Sequence, residues 1–369
     1  MPQFTPHQDD ALNAVADWLK AKPGSGATPP IFRLFGYAGT GKTTLARHIA
    51  DGVDGEVKYA AFTGKAASVM RGKGCHGAST IHSLIYRTRE SGDEIPNFDL
   101  WDEAPASKAE LIIIDECSMV DPELGKDLLS FGVPLLVLGD PAQLPPIQGG
   151  GFFTEAEPDV MLTEVHRQAQ DDPIVRLSMD IRAGEYLEPG RYGETEVVAK
   201  SDLDPQRVLD ADQVLVGRNA TRRAYNNRMR ERRGFEGELP SAGDKLVCLR
   251  NNRKKGLFNG GLWRVKSRAQ SKSKIVTMRV SPDEEFGHKV TKVSVRGECF
   301  EGGIEGIPWE QRKPYDEFDY GYVLTVHKAQ GSQWDDVVLF DESFAFQDSR
   351  ARWLYTGITR AAKRLSVVV

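Results

Sequence analysis

The sequence predicts an α/β protein made of two parallel-sheet lobes with smaller insertions, and three observations predict it. The first is the octet Gly36-Tyr37-Ala38-Gly39-Thr40-Gly41-Lys42-Thr43, which fits G-x-x-x-x-G-K-[ST] between an apolar run, Ile31 to Phe35, and a helix-forming run, Thr44 to Ala50. The second is the alternation of apolar strands and helical runs through the first 150 residues, the pattern of a parallel sheet covered on both faces. The third is the return of that alternation near Val160 and again at Tyr320. A chain of 369 residues, at roughly 100 to 200 residues per domain, has room for two to four domains.

The first lobe reads as a strand at Ile31 to Gly36, the helix after Lys42, a strand at Val57 to Phe62 and a helix from Lys65 to Met70. Strands at Leu111 to Asp115 and Val133 to Gly139 follow. Glycines let the octet's backbone curl so that its N–H groups converge on a phosphate. Lys42 then reaches the β- and γ-oxygens, and the Thr43 hydroxyl ligates Mg²⁺ at the helix N-terminus. ATP or GTP binding follows. Residues 84–108 break the alternation with Ser91-Gly92-Asp93, Pro96 and Pro105, and read as an insertion. The second pattern includes a helix from Pro173 to Ala183, a strand at Gln213 to Gly217 and an arginine-rich helix after Asn219. Short β-type runs between Gly243 and Ile307 read as a small β-barrel insert. The α/β pattern resumes at Tyr320 to Val326, Val337 to Phe340 and Leu365 to Val369.

At the end of the strand Leu111 to Ile114 stand Asp115 and Glu116, where an aspartate can hold the Mg²⁺ shell and the adjacent glutamate can polarise the attacking water. After the next strand, Gln143 in Gly139-Asp140-Pro141-Ala142-Gln143-Leu144-Pro145-Pro146 is placed to sense a γ-phosphate, because ligands of open α/β sheets sit at the carboxyl ends of strands.

Composition sets outer limits. No run approaches the roughly 18 apolar residues of a membrane span, and the N-terminus lacks a signal-peptide layout, so no membrane association and a cytoplasmic location are expected. Cys75, Cys117, Cys248 and Cys299 are far apart and read as reduced and structural. The net charge of −5 argues mildly against nucleic acid. Yet seven arginines crowd residues 218–233, a run that is by default a solvated helix face.

Taken in order, the segments Gly36 to Thr43, Thr63-Gly64-Lys65-Ala66-Ala67, Thr80-Ile81-His82, Asp115 to Met119, Gly139 to Pro145, Leu162 to Gln168, Leu324 to Ser332 and Tyr355 to Ala361 resemble the ordered motifs of superfamily 1 helicases, and within them the RecD/Dda-type branch. The resemblance covers essentially the whole chain. It implies two RecA-like P-loop lobes: a first lobe at 1–152, with a pin hairpin at 84–108, and a second at 153–240 and 312–369. An SH3-like β-barrel insertion at 241–311 completes the expected layout.

Residue by residue, the resemblance implies that Gln8 reads the adenine edge. Gly36, Ala38, Gly39, Thr40, Gly41, Lys42, Thr43 and Thr44 would hold the phosphates of ATP, with Gln330 and Gly331 approaching from the second lobe. Thr43 and Asp115 would serve Mg²⁺. Catalysis would rest on Lys42, Glu116, Gln143 and two arginines reaching across the cleft, Arg167 and Arg360. Thr63, Lys65, Thr80, His82, Thr325, His327 and Lys328 match positions that grip a single DNA strand, and Phe98 or Trp101 falls where a pin splits duplex. The implied activity is ATP-dependent, 5′ to 3′ unwinding by a monomer acting on single-stranded and forked DNA, alongside single-strand-binding or replication and recombination proteins. A translocase that displaces proteins, or a motor subunit of a recombination or nuclease complex, are the alternatives.

Overall fold

Apolar runs in the N-terminal part pair edge to edge as β1 (Ile31–Gly36), β2 (Val57–Ala61), β3 (Ser79–Thr80), β6 (Leu111–Asp115), β7 (Leu135–Gly139) and β8 (Val160–Leu162), with β4 (Tyr86–Thr88) and β5 (Phe98–Leu100) forming a separate pair. The computed structural model describes residues 4–24, 28–88, 98–145, 151–165, 171–252, 255–257, 259–269, 274–283, 290–302 and 304–369, the side chains of Thr88, Phe98, Arg268, Ala269 and Glu305 excepted. The first sheet runs β3-β2-β6-β7-β1-β8, and every neighbour is parallel. Its strands are apolar on both sides because both faces are covered. Ala11, Val15, Leu45 and Ile49 from the helices Pro6–Lys20 and Lys42–Asp51 pack on one face; Ile81, Ile85, Leu124 and Leu128 pack on the other.

The remaining strands are β9 (Gly190–Tyr192), β10 (Thr195–Val198), β11 (Gln213–Val216), β12 (Lys245–Cys248), β13 (Leu262–Ala269), β14 (Ile275–Pro282), β15 (Thr291–Arg296), β16 (Phe318–Tyr320), β17 (Val323–Thr325), β18 (Trp334–Phe340) and β19 (Ala361–Val368). The second sheet runs β17-β11-β18-β19-β10-β9 and is parallel apart from the edge strand β9. The third, β15-β14-β13-β12-β16, is antiparallel. A bridge between Val295 and Asp316 brings its two edges together, so the sheet curls toward a barrel.

Three sequence expectations need correction. The boundary at 152/153 and the second pattern starting near Val160 give way, because β8 pairs with β1 and belongs to the first sheet. The single strand expected at Tyr320 to Val326 is two. β16 closes the third sheet against β12, and β17 enters the second against β11. The switch occurs at Gly321, where a Cβ would stand 2.7 Å from the Leu246 carbonyl carbon. Finally, the arginine-rich helix Asn219–Arg232 is not simply a solvated face. Arg222 pairs with Asp319 at 2.6 Å and Arg230 with Asp244 at 3.0 Å, and both guanidinium groups are buried. These pairs tie the second lobe to the third sheet, and a shared core of Val214, Val338, Leu246, Val265 and Phe318 fills the seam.

The hairpin β4–β5 stands inside the expected insertion. Trp101 sits at its base, where its backbone N–H donates to the Ile85 carbonyl and its ring packs on the first lobe's core, so it is no exposed tip. Residues 89–97 and the Phe98 side chain lie outside the described residues, as do His166 and Arg167. All four cysteines are free and buried. Burial pushes the Cys75 thiol up to about 11 and those of Cys248 and Cys299 to about 12, which suits unreactive packing groups. Among the described residues no helix is long and apolar enough to cross a membrane.

Gly321 makes the crossing between sheets testable. Because the neighbouring atoms are backbone and cannot turn aside, Gly321→Ala should destabilise the fold by about 1–3 kcal/mol in urea unfolding. An unchanged midpoint would show that the strand switch tolerates a side chain.

Candidate active site

The carboxyl ends of β1, β6 and β7 open onto a cleft of about 530 Å³ between the two lobes. From the first lobe it is lined by Ala38, Gly39, Gly41, Lys42, Thr43, Thr44, Asp115, Glu116, Asp140 and Gln143. Gly331, Ser332, Thr359 and Arg360 close it from the second. The loop can curl only because Gly39 and Gly41 take left-handed backbone at φ 78° and 84°, where a side chain would be strained. Gly41 then caps the helix Lys42–Asp51, aiming the helix's free N–H groups into the cleft. Lys42 Nζ donates to the carbonyls of Gly36 at 2.6 Å and Tyr37 at 2.9 Å, folded against the loop that it would leave for phosphate oxygens.

Thr43 Oγ1 donates to Asp115 Oδ2 at 3.3 Å, and the other Asp115 oxygen accepts the Glu116 N–H at 2.8 Å. Hydroxyl and carboxylate so placed are hard oxygen donors suited to Mg²⁺, an ion that takes few protein ligands and relies on substrate phosphates for the rest. Gln143 Oε1 is buried and has no hydrogen-bond partner among the described residues, an acceptor fitted to a water or ligand donor. Glu116 itself stands in left-handed backbone at φ 53°, a strained setting for a non-glycine residue.

Electrostatics focus on Glu116. Burial raises its carboxyl above the ordinary glutamate range. Arg360 and Lys42 pull it back, while Asp115 and Asp140 push it up. Arg360 Nη1 lies 3.8 Å from Glu116 Oε1 although the two belong to different lobes. The guanidinium is 4% exposed and is oriented by the carbonyls of Thr356 at 3.0 Å and Ser332 at 3.2 Å and by Thr359 Oγ1 at 3.1 Å.

Some expected residues lie behind the cleft. Gln8 is buried, its Oε1 accepting the Thr5 N–H at 3.1 Å and its Nε2 donating to the Thr40 carbonyl at 2.9 Å, so its amide braces the phosphate loop. Thr40 donates to the Tyr37 carbonyl at 2.8 Å, and Gly36 sits tight against Leu162. Gln330 donates to the Leu144 carbonyl at 2.8 Å, stitching the lobes together.

The residues expected to grip a strand are spread over both lobes, and three are spent on local structure. Thr63 Oγ1 accepts from Ala66 N, Thr80 Oγ1 from Ser83 N and Thr325 Oγ1 from Lys328 N. His82 packs between the rings of Phe62 and Tyr86. His327 lies 5.3 Å from the Phe346 ring, and burial lowers its pKa. Lys65 lines a second cleft with Arg233, Lys245, Arg264 and Trp334, and its pKa is also lowered by burial. Sequence reasoning assigned no individual role to Tyr355 or Asp140, although both stood inside segments it singled out. Arg182, over the Tyr37 ring at 3.4 Å, carried no sequence signal.

Comparison with known proteins places residues 27–201 in a family model described as an AAA domain and residues 320–368 in that of a UvrD-like helicase C-terminal domain. The chain is 29% identical over 363 residues to the ATP-dependent RecD2 DNA helicase of Deinococcus radiodurans, covering 90% of this chain and 46% of that protein. It is 30% identical over 198 residues to the ATP-dependent DNA helicase dda of Enterobacteria phage T4, covering 50% of this chain and 43% of that one. The chain thus spans less than half the length of these relatives. Bacteroides Pif1 bound to single-stranded DNA superposes with a TM-score of 0.58 at 18% identity, over 100% of this chain and 93% of that one. A structure of two Pif1 helicases at forked double-stranded DNA gives 0.59 at 18%, over 100% and 92%. At such identity the likeness establishes the fold.

The cleft predicts its own titration. Since Arg360 is the strongest influence pulling the Glu116 carboxyl down, Arg360→Ala should move it further up, read by NMR of labelled glutamate. An unmoved titration would mean that the guanidinium is not felt across the cleft.

Proposed function

We propose that this chain, which belongs to the superfamily 1 helicases of the RecD/Dda type, is an ATP-driven motor that moves 5′ to 3′ along single-stranded DNA and separates duplex ahead of it. The observation that carries this reading is Arg360, a second-lobe guanidinium held beside Glu116 over the first lobe's phosphate loop.

Each residue has a chemical task in that reading. Lys42 exchanges its loop carbonyls for the β- and γ-phosphate oxygens, and the Gly39 to Thr44 backbone cradles them. Thr43 and Asp115 would hold Mg²⁺, which would neutralise phosphate charge. Glu116 takes the proton of the attacking water, and its raised pKa makes it a better base than an exposed carboxylate. Gln143 orients that water with its free acceptor. Arg360, joined by Arg167 from outside the described residues, meets the charge that develops on the transferring group. Nucleotide then favours the closed cleft and its hydrolysis the open one, and a strand held by both lobes is drawn along by that difference.

The strand-gripping roles follow the family motif: Thr63, Lys65, Thr80 and His82 on the first lobe, Thr325, His327 and Lys328 on the second. The β4–β5 hairpin, with Phe98, is assigned as the pin that splits duplex. The curled third sheet, β12 to β15 closed by β16, is assigned as an SH3-like barrel inserted in the second lobe. Gln8 is assigned to the adenine edge on its place in the family motif. The expected setting is a cytoplasmic monomer working beside replication or recombination proteins.

Lys42→Ala and Glu116→Gln should abolish hydrolysis with DNA binding retained, and Arg360→Ala should lower turnover by roughly 10³ or more. Unchanged turnover in Glu116→Gln would remove it as the base. On DNA, duplex with a 5′ tail should be unwound and duplex with a 3′ tail left intact, with single-strand affinity falling steeply as salt rises. Equal unwinding of both tails would overturn the polarity, and a flat salt response the phosphate-gripping groove.

A further inference from the structure

Resting on the motor reading above, we propose that Tyr355 is a positioning residue: its hydroxyl, bonded at once to the phosphate loop and to Asp140 of the first lobe, sets the register of the second-lobe helix that presents Arg360.

The phenol comes from the helix Arg350–Ile358 and is 1% exposed. It donates to Asp140 Oδ2 at 2.7 Å and accepts the Ala38 N–H at 2.8 Å. Both partners belong to the other lobe, and both line the cleft. A buried phenol needs a partner somewhere, but one partner within its own lobe would have met that need. Spending both bonds across the cleft fixes the helix in two directions.

Asp140 is itself held. Its other oxygen accepts the Ala142 N–H at 3.0 Å, and its carbonyl accepts the Gln143 N–H at 3.1 Å. The adjacent Thr356 continues the line. Its Oγ1 accepts the Leu144 N–H at 2.9 Å, and its carbonyl accepts from Arg360 Nε at 3.0 Å. A continuous path therefore runs from the phosphate loop through Tyr355 and Thr356 to the guanidinium beside Glu116. Burial, followed by the Asp140 charge, pushes the phenol well above its ordinary range, so it remains a neutral donor wherever the protein is folded.

Tyr355→Phe keeps the packed ring and removes both bonds. Loss of a bond to a charged partner at a site where alignment matters should lower kcat of ATP hydrolysis by roughly 10- to 100-fold, with the KM for ATP within about 3-fold. Because Tyr355 acts through Arg360, the same substitution in an Arg360→Ala background should change kcat by less than about 2-fold. A wild-type kcat, or an equal loss in both backgrounds, would overturn the proposal.

Amide hydrogen exchange of the nucleotide-free protein provides a readout independent of turnover. Exchange at Ala38 and at residues 143–144 should accelerate in Tyr355→Phe while the sheet amides keep their rates, and unchanged exchange would equally overturn it. If the wild-type protein hydrolyses no ATP, the motor reading fails, and the exchange result still decides the role of Tyr355.

Discussion

The contact between one short helix of the second lobe and the phosphate loop of the first is the constraint on which the rest of the structure depends. Arg350–Ile358 carries Tyr355 and Thr356 on its body and Arg360 just beyond its end, and these three side chains meet Ala38, Asp140, Leu144 and Glu116. A displacement of that helix by one residue would separate all of them together. These contacts are therefore made or lost together, the property that a two-state element needs.

Both sides of the contact are stiff. On the first lobe, Gln8 and Thr40 brace the loop from behind, and the strained backbone at Glu116 is held by a fully covered sheet. On the second, the buried pairs Arg222–Asp319 and Arg230–Asp244 weld the curled sheet to the parallel one. Removing one partner from such a pair leaves an uncompensated charge inside the protein, so lobe and insertion move together. Within the second lobe itself, Glu342 anchors the turn at the carboxyl end of β11, where its carboxylate accepts from the Gly217 and Arg218 N–H groups and from the Arg218 and Thr221 side chains.

Much of this was legible in the sequence. The phosphate loop, the acidic pair after β6 and the turn carrying Gln143 each announce themselves by residue type at a strand end, because their chemistry is local. The cleft gathers them as expected. Interactions between segments distant in sequence were not legible. Nothing in the spacing of Val160 shows that β8 completes the first sheet, and the arginines at 222 and 230 look like solvent-facing charge until Asp319 and Asp244 are placed opposite them. Thr63, Thr80 and Thr325 were read as strand contacts from motif position alone, whereas their hydroxyls also cap the segments that follow them. Tyr355 was hidden for the same reason, since its two partners lie more than two hundred residues away along the chain.

The central claim is that turnover is completed by a guanidinium delivered across the cleft. The most direct measurement is a crystal structure of the protein with ADP, an aluminium fluoride mimic of the transferring phosphoryl group and single-stranded DNA. The account predicts Arg360 within hydrogen-bond distance of the fluoride mimic, with Tyr355 still joined to the phosphate loop. A guanidinium turned away from the mimic, in a cleft that is nonetheless filled, would contradict it.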